Sequence, residues 1–205
     1  MTCVVGYVAP DRSVSIGADS AGVAGLDLRI RRDPKVFHAG PFLIGYTTSF
    51  RMGQLLRFAL PMDELEDRAA RVANAEDAGF RFMATHFVNA IRKVFKDGGF
   101  ARKENEEESG GNFLVGFRGR LFEIFGDYQI ALPTEPYSAA GCGADFALGA
   151  MAASNYDNLG ALGIVNEALR VAEQFSAGVR GPFIVLSQLP PTADRRSADR
   201  MDLTQ

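Results

Sequence analysis

The order of elements in this sequence predicts an α+β fold, a four-layer α-β-β-α sandwich of two largely antiparallel sheets. Three observations carry that expectation. Apolar runs follow one another as strands, helices, strands, helices and a last strand. Several strands are joined by short turns rather than long crossovers, and a short turn can link only antiparallel neighbours. The helical stretches carry an apolar stripe, so they belong outside two sheets packed face to face.

Residues 2–8 are rich in β-branched side chains and read as a strand. Ala9-Pro10-Asp11-Arg12 makes a tight turn, and 13–18 is a second strand in which Val14 and Ile16 alternate. Residues 29–37 read as extended, with Pro34 keeping Asp33 out of a helix. Phe42 to Tyr46 is a short apolar strand. Met52, Leu55, Leu56 and Ala59 then recur at helical spacing. A short helix is expected in the polar stretch 64–77. The clearest helix is 77–96, with Phe80, Met83, Ala84, Phe87, Ile91, Val94 and Phe95 on one stripe. Gly98-Gly99 ends it. The acidic stretch 102–111 reads as a solvated surface loop. Residues 113–117 and 121–125 form a second hairpin around Arg118-Gly119-Arg120. Residues 137–140 lead into Gly141-Cys142-Gly143 and a helix of small residues over 144–153. A helix over 159–175 points Leu162, Val165, Leu169 and Ala172 inward. Residues 183–186 form the closing strand.

The chain has 205 residues, is 47% hydrophobic and 23% charged, and carries a net charge of -3. That length can bury a sizeable core. One domain over 1–189 is expected, followed by a polar tail over 190–205. The negative balance argues against a nucleic-acid partner, whose binding face is usually basic. No apolar run reaches the ~18 residues of a membrane span, and the first residues lack the basic start of a signal peptide. Hence no membrane partner and a cytoplasmic location are expected. The histidines, His38 and His86, lie too far apart in sequence to suggest a metal site. Neither a metal nor any other cofactor is expected. Cys3 and Cys142 make no CxxC pair and read as small buried hydrophobes.

Chemistry is suggested by the start of the chain. Methionine before a small residue is commonly removed, which would leave Thr2 first. Its hydroxyl and free α-amine would then sit on one residue. An α-amine titrates near 7.7–8.0 and suits a general base at neutral pH. Gly17-Ala18-Asp19-Ser20 ends the second strand, and Asp33-Pro34-Lys35 follows in an extended segment. An Asp19–Lys35 ion pair beside Thr2 would lower the proton affinity of its hydroxyl and amine.

Thr2, Asp19 and Lys35 stand 17 and 16 positions apart. This spacing resembles the proteasome β-subunit family, the N-terminal-nucleophile threonine hydrolases that include bacterial proteasome-like ring proteases. Phe42-Leu43-Ile44-Gly45-Tyr46-Thr47-Thr48 is similar to the family's strand leading to its oxyanion loop. Ala139-Ala140-Gly141-Cys142-Gly143-Ala144-Asp145-Phe146-Ala147-Leu148 resembles its A-x-G-S-G-x-x-x-A-L segment. Cys142 stands where the family has a serine that helps hold the N-terminus. Glu173 and Ser176 keep the acid-to-serine spacing of a later D-x-x-S-G, with Gly178 one residue late. The stretch 61–111 is longer than the family's.

The resemblance implies a threonine peptidase with Thr2 as nucleophile, its own amine as base, and Asp19 and Lys35 as catalytic partners. A backbone N–H at Thr48 would stabilise the oxyanion, and Cys142, Glu173 and Ser176 would support the site. It also implies peptide or unfolded-protein substrates, a homo-oligomeric ring, and a separate ATPase partner, since the chain has no GxxxxGK[ST] of its own. Two other readings stay open at this point. One is an N-terminal-nucleophile amidohydrolase or transferase acting on a small amide. The other is a non-catalytic ring or scaffold subunit.

Overall fold

The computed structural model describes residues 2–104, 107–153 and 159–190. Two antiparallel sheets face one another. The first has the order β12-β1-β2-β13, built from β1 (Cys3–Val8), β2 (Val14–Ala18), β12 (Tyr137–Gly141) and β13 (Ile184–Gln188). The second has the order β11-β10-β9-β6-β5, built from β5 (Val36–Ala39), β6 (Phe42–Tyr46), β9 (Phe113–Phe117), β10 (Arg120–Ile124) and β11 (Ile130–Ala131). α1 (Phe50–Phe58), α2 (Met62–Ala70), α3 (Glu76–Phe82) and α4 (Val88–Asp97) cover the second sheet. α5 (Ala144–Ala153) and α6 (Ala161–Phe175) cover the first. This is the four-layer sandwich that the order of elements predicts.

The period of two along each strand divides the core into three layers. On β1, Cys3, Val5 and Tyr7 pack under α5 and α6, while Val4 joins the layer between the sheets. Val14, Ile16 and Ala18 of β2 meet Leu43, Leu114 and Leu121 in that same layer. Phe42, Ile44 and Tyr46 of β6 point the other way, into the larger helix-covered core. There Phe42 lies 4.6 Å from Phe87 and 5.1 Å from Phe117, between ring centroids. At Gly45 a Cβ would stand 2.6 Å from both Ile16 and Val4, so the sheets approach at a residue without a side chain.

Several expectations needed correction. β3 (Ala21–Ala24) and β4 (Asp27–Ile30) form a separate hairpin, whose second strand takes in the first two residues of the extended segment expected over 29–37. The acidic loop is a hairpin too, of β7 (Arg102–Glu104) and β8 (Glu107–Ser109). Arg92 of α4 holds it by an ion pair of 2.8 Å to Glu108. The helix expected over 64–77 is α2, which ends by Arg71, with α3 starting only at Glu76. Between α3 and α4 the helix widens into a π turn, Met83–Phe87. The extra residue shifts the phase of the stripe: Phe82 and Val88 are buried, whereas Phe80 and Ala84 face outward. On α6 the buried face is Ile164, Val165, Ala168, Leu169 and Ala172. Leu162 lies about 90° from its middle at 3.6 residues per turn, and is exposed. No helix among the described residues is long and apolar enough to cross a membrane. The expected tail lies outside the described residues from position 191 onward.

Candidate active site

β1, β2 and β5 deliver three side chains to one end of the sandwich. Thr2 precedes β1, Asp19 follows β2, and Lys35 precedes β5; all three are buried. Lys35 Nζ donates three hydrogen bonds: to Thr2 Oγ1 at 2.9 Å, to Asp19 Oδ1 at 2.8 Å and to the Ala21 carbonyl at 2.7 Å. An ammonium has three N–H donors and no lone pair, so this geometry uses all of them. Lys35 in that form stabilises negative charge on the threonine oxygen and cannot itself remove the proton. Burial pulls the Lys35 pKa below its ordinary 10.5, against the opposing pull of Asp19.

Asp19 is fixed from several sides. Oδ1 also accepts from the Cys3 N–H at 3.0 Å, and Oδ2 from the Ala21 N–H at 2.9 Å. The Arg180 N–H reaches Oδ2 at 3.4 Å. The Asp19 N–H in turn donates to the Cys3 carbonyl at 3.2 Å. These bonds tie the aspartate to the residue following Thr2, so the nucleophile candidate and the ion pair move together.

Gly141 faces Cys3 across β1 and β12. Its φ is 101°, and a Cβ there would strike the Thr2 carbonyl and lie 3.3 Å from Thr47 Cγ2. Only glycine suits both demands. Thr48 is exposed and left-handed, with φ of 62°. That conformation costs a β-branched residue about 1–2 kcal/mol. It is held by the Asn112 N–H donating to Thr48 Oγ1 at 3.2 Å, while Thr47 Oγ1 donates to the Asn112 carbonyl at 2.8 Å. Ser49 next to it caps α1 by accepting from the Arg51 N–H at 3.1 Å.

The support residues divide into two groups. Ser176 Oγ lies 3.5 Å from both the carbonyl oxygen and Sγ of Cys142. Cys142 is exposed, a correction to its reading as a buried hydrophobe, because it sits in the turn between β12 and α5. Cys3 is buried, and burial with the nearby Asp19 charge pushes its pKa up to about 12. Glu173 bonds elsewhere: its Oε1 accepts from the Gly181 N–H at 2.9 Å. It thereby holds the loop whose Arg180 touches Asp19.

Three contributors carry no side-chain signal in the sequence: the Ala21 carbonyl, the Arg180 backbone and the Asn112 carbonyl. Phe50 is a fourth contributor, with its ring centroid 5.5 Å from Lys35 Nζ. Among the described residues no group of three or more His, Cys, Asp and Glu could hold a metal.

Two antiparallel sheets between helical layers, with Thr2 just ahead of the first strand, make a fold that other proteins also have. Solved structures of bacterial proteasome-like proteins and of HslV share it. BPH of Thiobacillus denitrificans, in complex with epoxomicin, has a TM-score of 0.68 and 18% identity over 92% of this chain and 100% of that one. HslV of Trypanosoma brucei has a TM-score of 0.64 and 19% identity over 91% and 98%. The Anbu (Gly-1) mutant of Hyphomicrobium sp. strain MC1 has a TM-score of 0.59 and 14% identity over 97% and 91%. At these identities the likeness is one of fold. No protein-family model and no curated protein matches the sequence.

Proposed function

We propose that the chain is a threonine-type peptide hydrolase whose nucleophile is the Thr2 hydroxyl, working within a homo-oligomeric ring. The observation that carries the proposal is the buried Lys35 ammonium, bonded at once to Thr2 Oγ1 and Asp19 Oδ1. What precedes Thr2, Met1 in this sequence, is removed, and the freed α-amine is the general base that a fully occupied Lys35 cannot be. The hydroxyl oxygen attacks the amide carbonyl while its proton passes to the amine. A backbone N–H of the Thr47-Thr48-Ser49 turn stabilises the oxyanion. The proton then goes to the leaving amine, the C–N bond breaks, and an ester remains on Thr2 until water hydrolyses it. Lys35 lowers the energy of the alkoxide throughout, and Asp19 keeps Lys35 charged and in place. A separate ATPase delivers unfolded protein to the ring.

The epoxyketone epoxomicin, bound in the Thiobacillus denitrificans structure, gives a direct test. Intact mass of the purified protein should show Met1 absent and one epoxomicin adduct per chain. Thr2→Ala should remove the adduct and all hydrolysis of fluorogenic peptides, with an unchanged circular dichroism spectrum. Retained Met1 on an active preparation, or hydrolysis surviving in Thr2→Ala, defeats the proposal.

A further inference from the structure

We propose that the outer edge of β4 is a self-pairing strand, which joins two copies of this chain across a two-fold axis. Among the described residues β3 and β4 pair only with each other, Val23 opposite Leu28 and Gly22 opposite Arg29. Two strands alone are marginal in water, and β4 is exposed along its whole length. The turn between them is two residues long, Gly25 and Leu26, with Gly25 at φ of 60°. A two-residue turn closes on a hydrogen-bonded pair, here Ala24 and Asp27, and the ladder then alternates. Gly22 and Arg29 bond each other, while Ala21, Val23, Leu28 and Ile30 turn their N–H and C=O groups outward. Ala21 agrees with this on the β3 edge, where its N–H meets Asp19 and its carbonyl meets Lys35. On the β4 edge the matching groups of Leu28 and Ile30 meet nothing among the described residues.

The occupant follows from the side chains, because this edge is complementary to itself. Its sequence is Leu26-Asp27-Leu28-Arg29-Ile30, and Leu26, Leu28 and Ile30 are all exposed. Antiparallel pairing centred on Leu28 sets Leu28 opposite its own copy, Asp27 opposite Arg29 of the partner subunit, and Leu26 opposite Ile30 of the partner subunit. Leu28 is an outward-facing residue, so the pair on the axis exchanges both N–H···O=C bonds. Opposite residues share a face. The leucines and isoleucines extend the apolar face that Val23 begins, and two Asp27–Arg29 ion pairs lie on the other face. Neither Asp27 nor Arg29 has an ion pair within its own chain among the described residues. The same charges fix the register. A slide of two residues sets Arg29 against Arg29 or Asp27 against Asp27, and a slide of one sets each leucine against a charge. A proline or charges of one sign would block such an edge; here opposite charges flank the axis. The contact is isologous, and it stands whether or not the chain is a hydrolase.

The test is sedimentation of the full chain over a range of concentrations, the wild type against Asp27→Arg, Arg29→Asp and the double exchange. Each single variant sets like charges opposite one another at two places, and should raise the dissociation constant of the two-fold contact about tenfold or more. The double exchange reverses both ion pairs and should restore the wild-type mass. An equal mixture of the two single variants should restore it too, since each then meets the charge it lacks. Leu28→Pro removes the N–H on the axis and spares the hairpin's own ladder, because that N–H faces outward; it should abolish the contact. Should Leu28→Pro not fold, the charge exchange decides alone. Thr2→Ala should sediment as the wild type does, which separates this result from the hydrolase proposal. A wild-type chain that stays a 22.2 kDa monomer, single variants with the wild-type mass, or a double exchange or mixture that restores nothing overturns the proposal.

Discussion

Asp19 commits both carboxylate oxygens to partners within the fold: Lys35 and the Cys3 N–H at Oδ1, the Ala21 and Arg180 N–H groups at Oδ2. Asp19→Asn keeps the shape but turns an NH₂ toward donors in either orientation, Lys35 and the Cys3 N–H at one position or the Ala21 and Arg180 N–H groups at the other. Removing one member of a buried pair costs about 3–5 kcal/mol. Urea unfolding should therefore show a loss of that size for Asp19→Asn and for Lys35→Met. The double variant should lose clearly less than the sum, because neither charge is then stranded. Additive losses would mean that the two side chains do not share one site. Lys35 also sets a pH dependence. Its folded pKa lies below the ordinary 10.5, so between those values the unfolded chain binds more protons than the folded one. Stability from this group therefore rises with pH through that window. The proposed catalysis runs the other way, since in that mechanism only the ammonium supports the Thr2 alkoxide. kcat/KM should fall with an alkaline limb below pH 10.5, and a profile flat to that pH would exclude Lys35⁺ from the rate-limiting step.

At the scale of elements, α6 connects the outer layer to the site. Its last turn carries Glu173, which holds the Gly181 N–H at 2.9 Å and so fixes the Arg180 segment against Asp19. Glu173→Ala should cost about 1.5–3 kcal/mol in urea unfolding, the range for a hydrogen bond to a charged group. It should lower kcat several-fold, with KM for a short peptide nearly unchanged. A loss as large as that of Asp19→Asn would place Glu173 in contact with the reacting atoms instead. This residue also shows how far the sequence could be read. The spacing of Glu173 and Ser176 was legible, and Ser176 does meet Cys142, but the bond from Glu173 to Gly181 was not. Backbone partners such as Gly181, Ala21 and Asn112 have no residue-type signature. The strands of the two sheets other than β11 were legible, β1 from its β-branched residues, β2 from the alternation of Val14 and Ile16, and β6 from its apolar run. The β3–β4 hairpin was missed because β4 is exposed along its whole length and so lacks the alternation of a half-buried strand. The π turn was missed because helical spacing presumes one pitch throughout, and one wider turn moved Phe80 out and Phe82 in.

At the scale of the molecule, surface chemistry bears on assembly. Phe146 of α5 and Phe175 of α6 are 40% and 61% exposed, with ring centroids 5.7 Å apart. Phe58, Leu28 and Ile30 are exposed as well. Lone surface apolar residues are ordinary, but paired aromatics on the outer face of a helical layer suit a buried contact better than water. They support the proposed ring without locating its interfaces. A ring has a closed point group, so sedimentation should give one sharp species at an integral multiple of the 22.2 kDa chain. If the peptide site is completed by neighbouring subunits, dilution below the dissociation range should lower the specific activity and the sedimenting mass together. Inorganic salt should weaken assembly little, since the exposed residues that motivate it are apolar rather than charged. A monodisperse 22.2 kDa species with full peptidase activity would separate the two halves of the proposal. The threonine chemistry would stand on Thr2, Asp19 and Lys35, and the chamber would be lost.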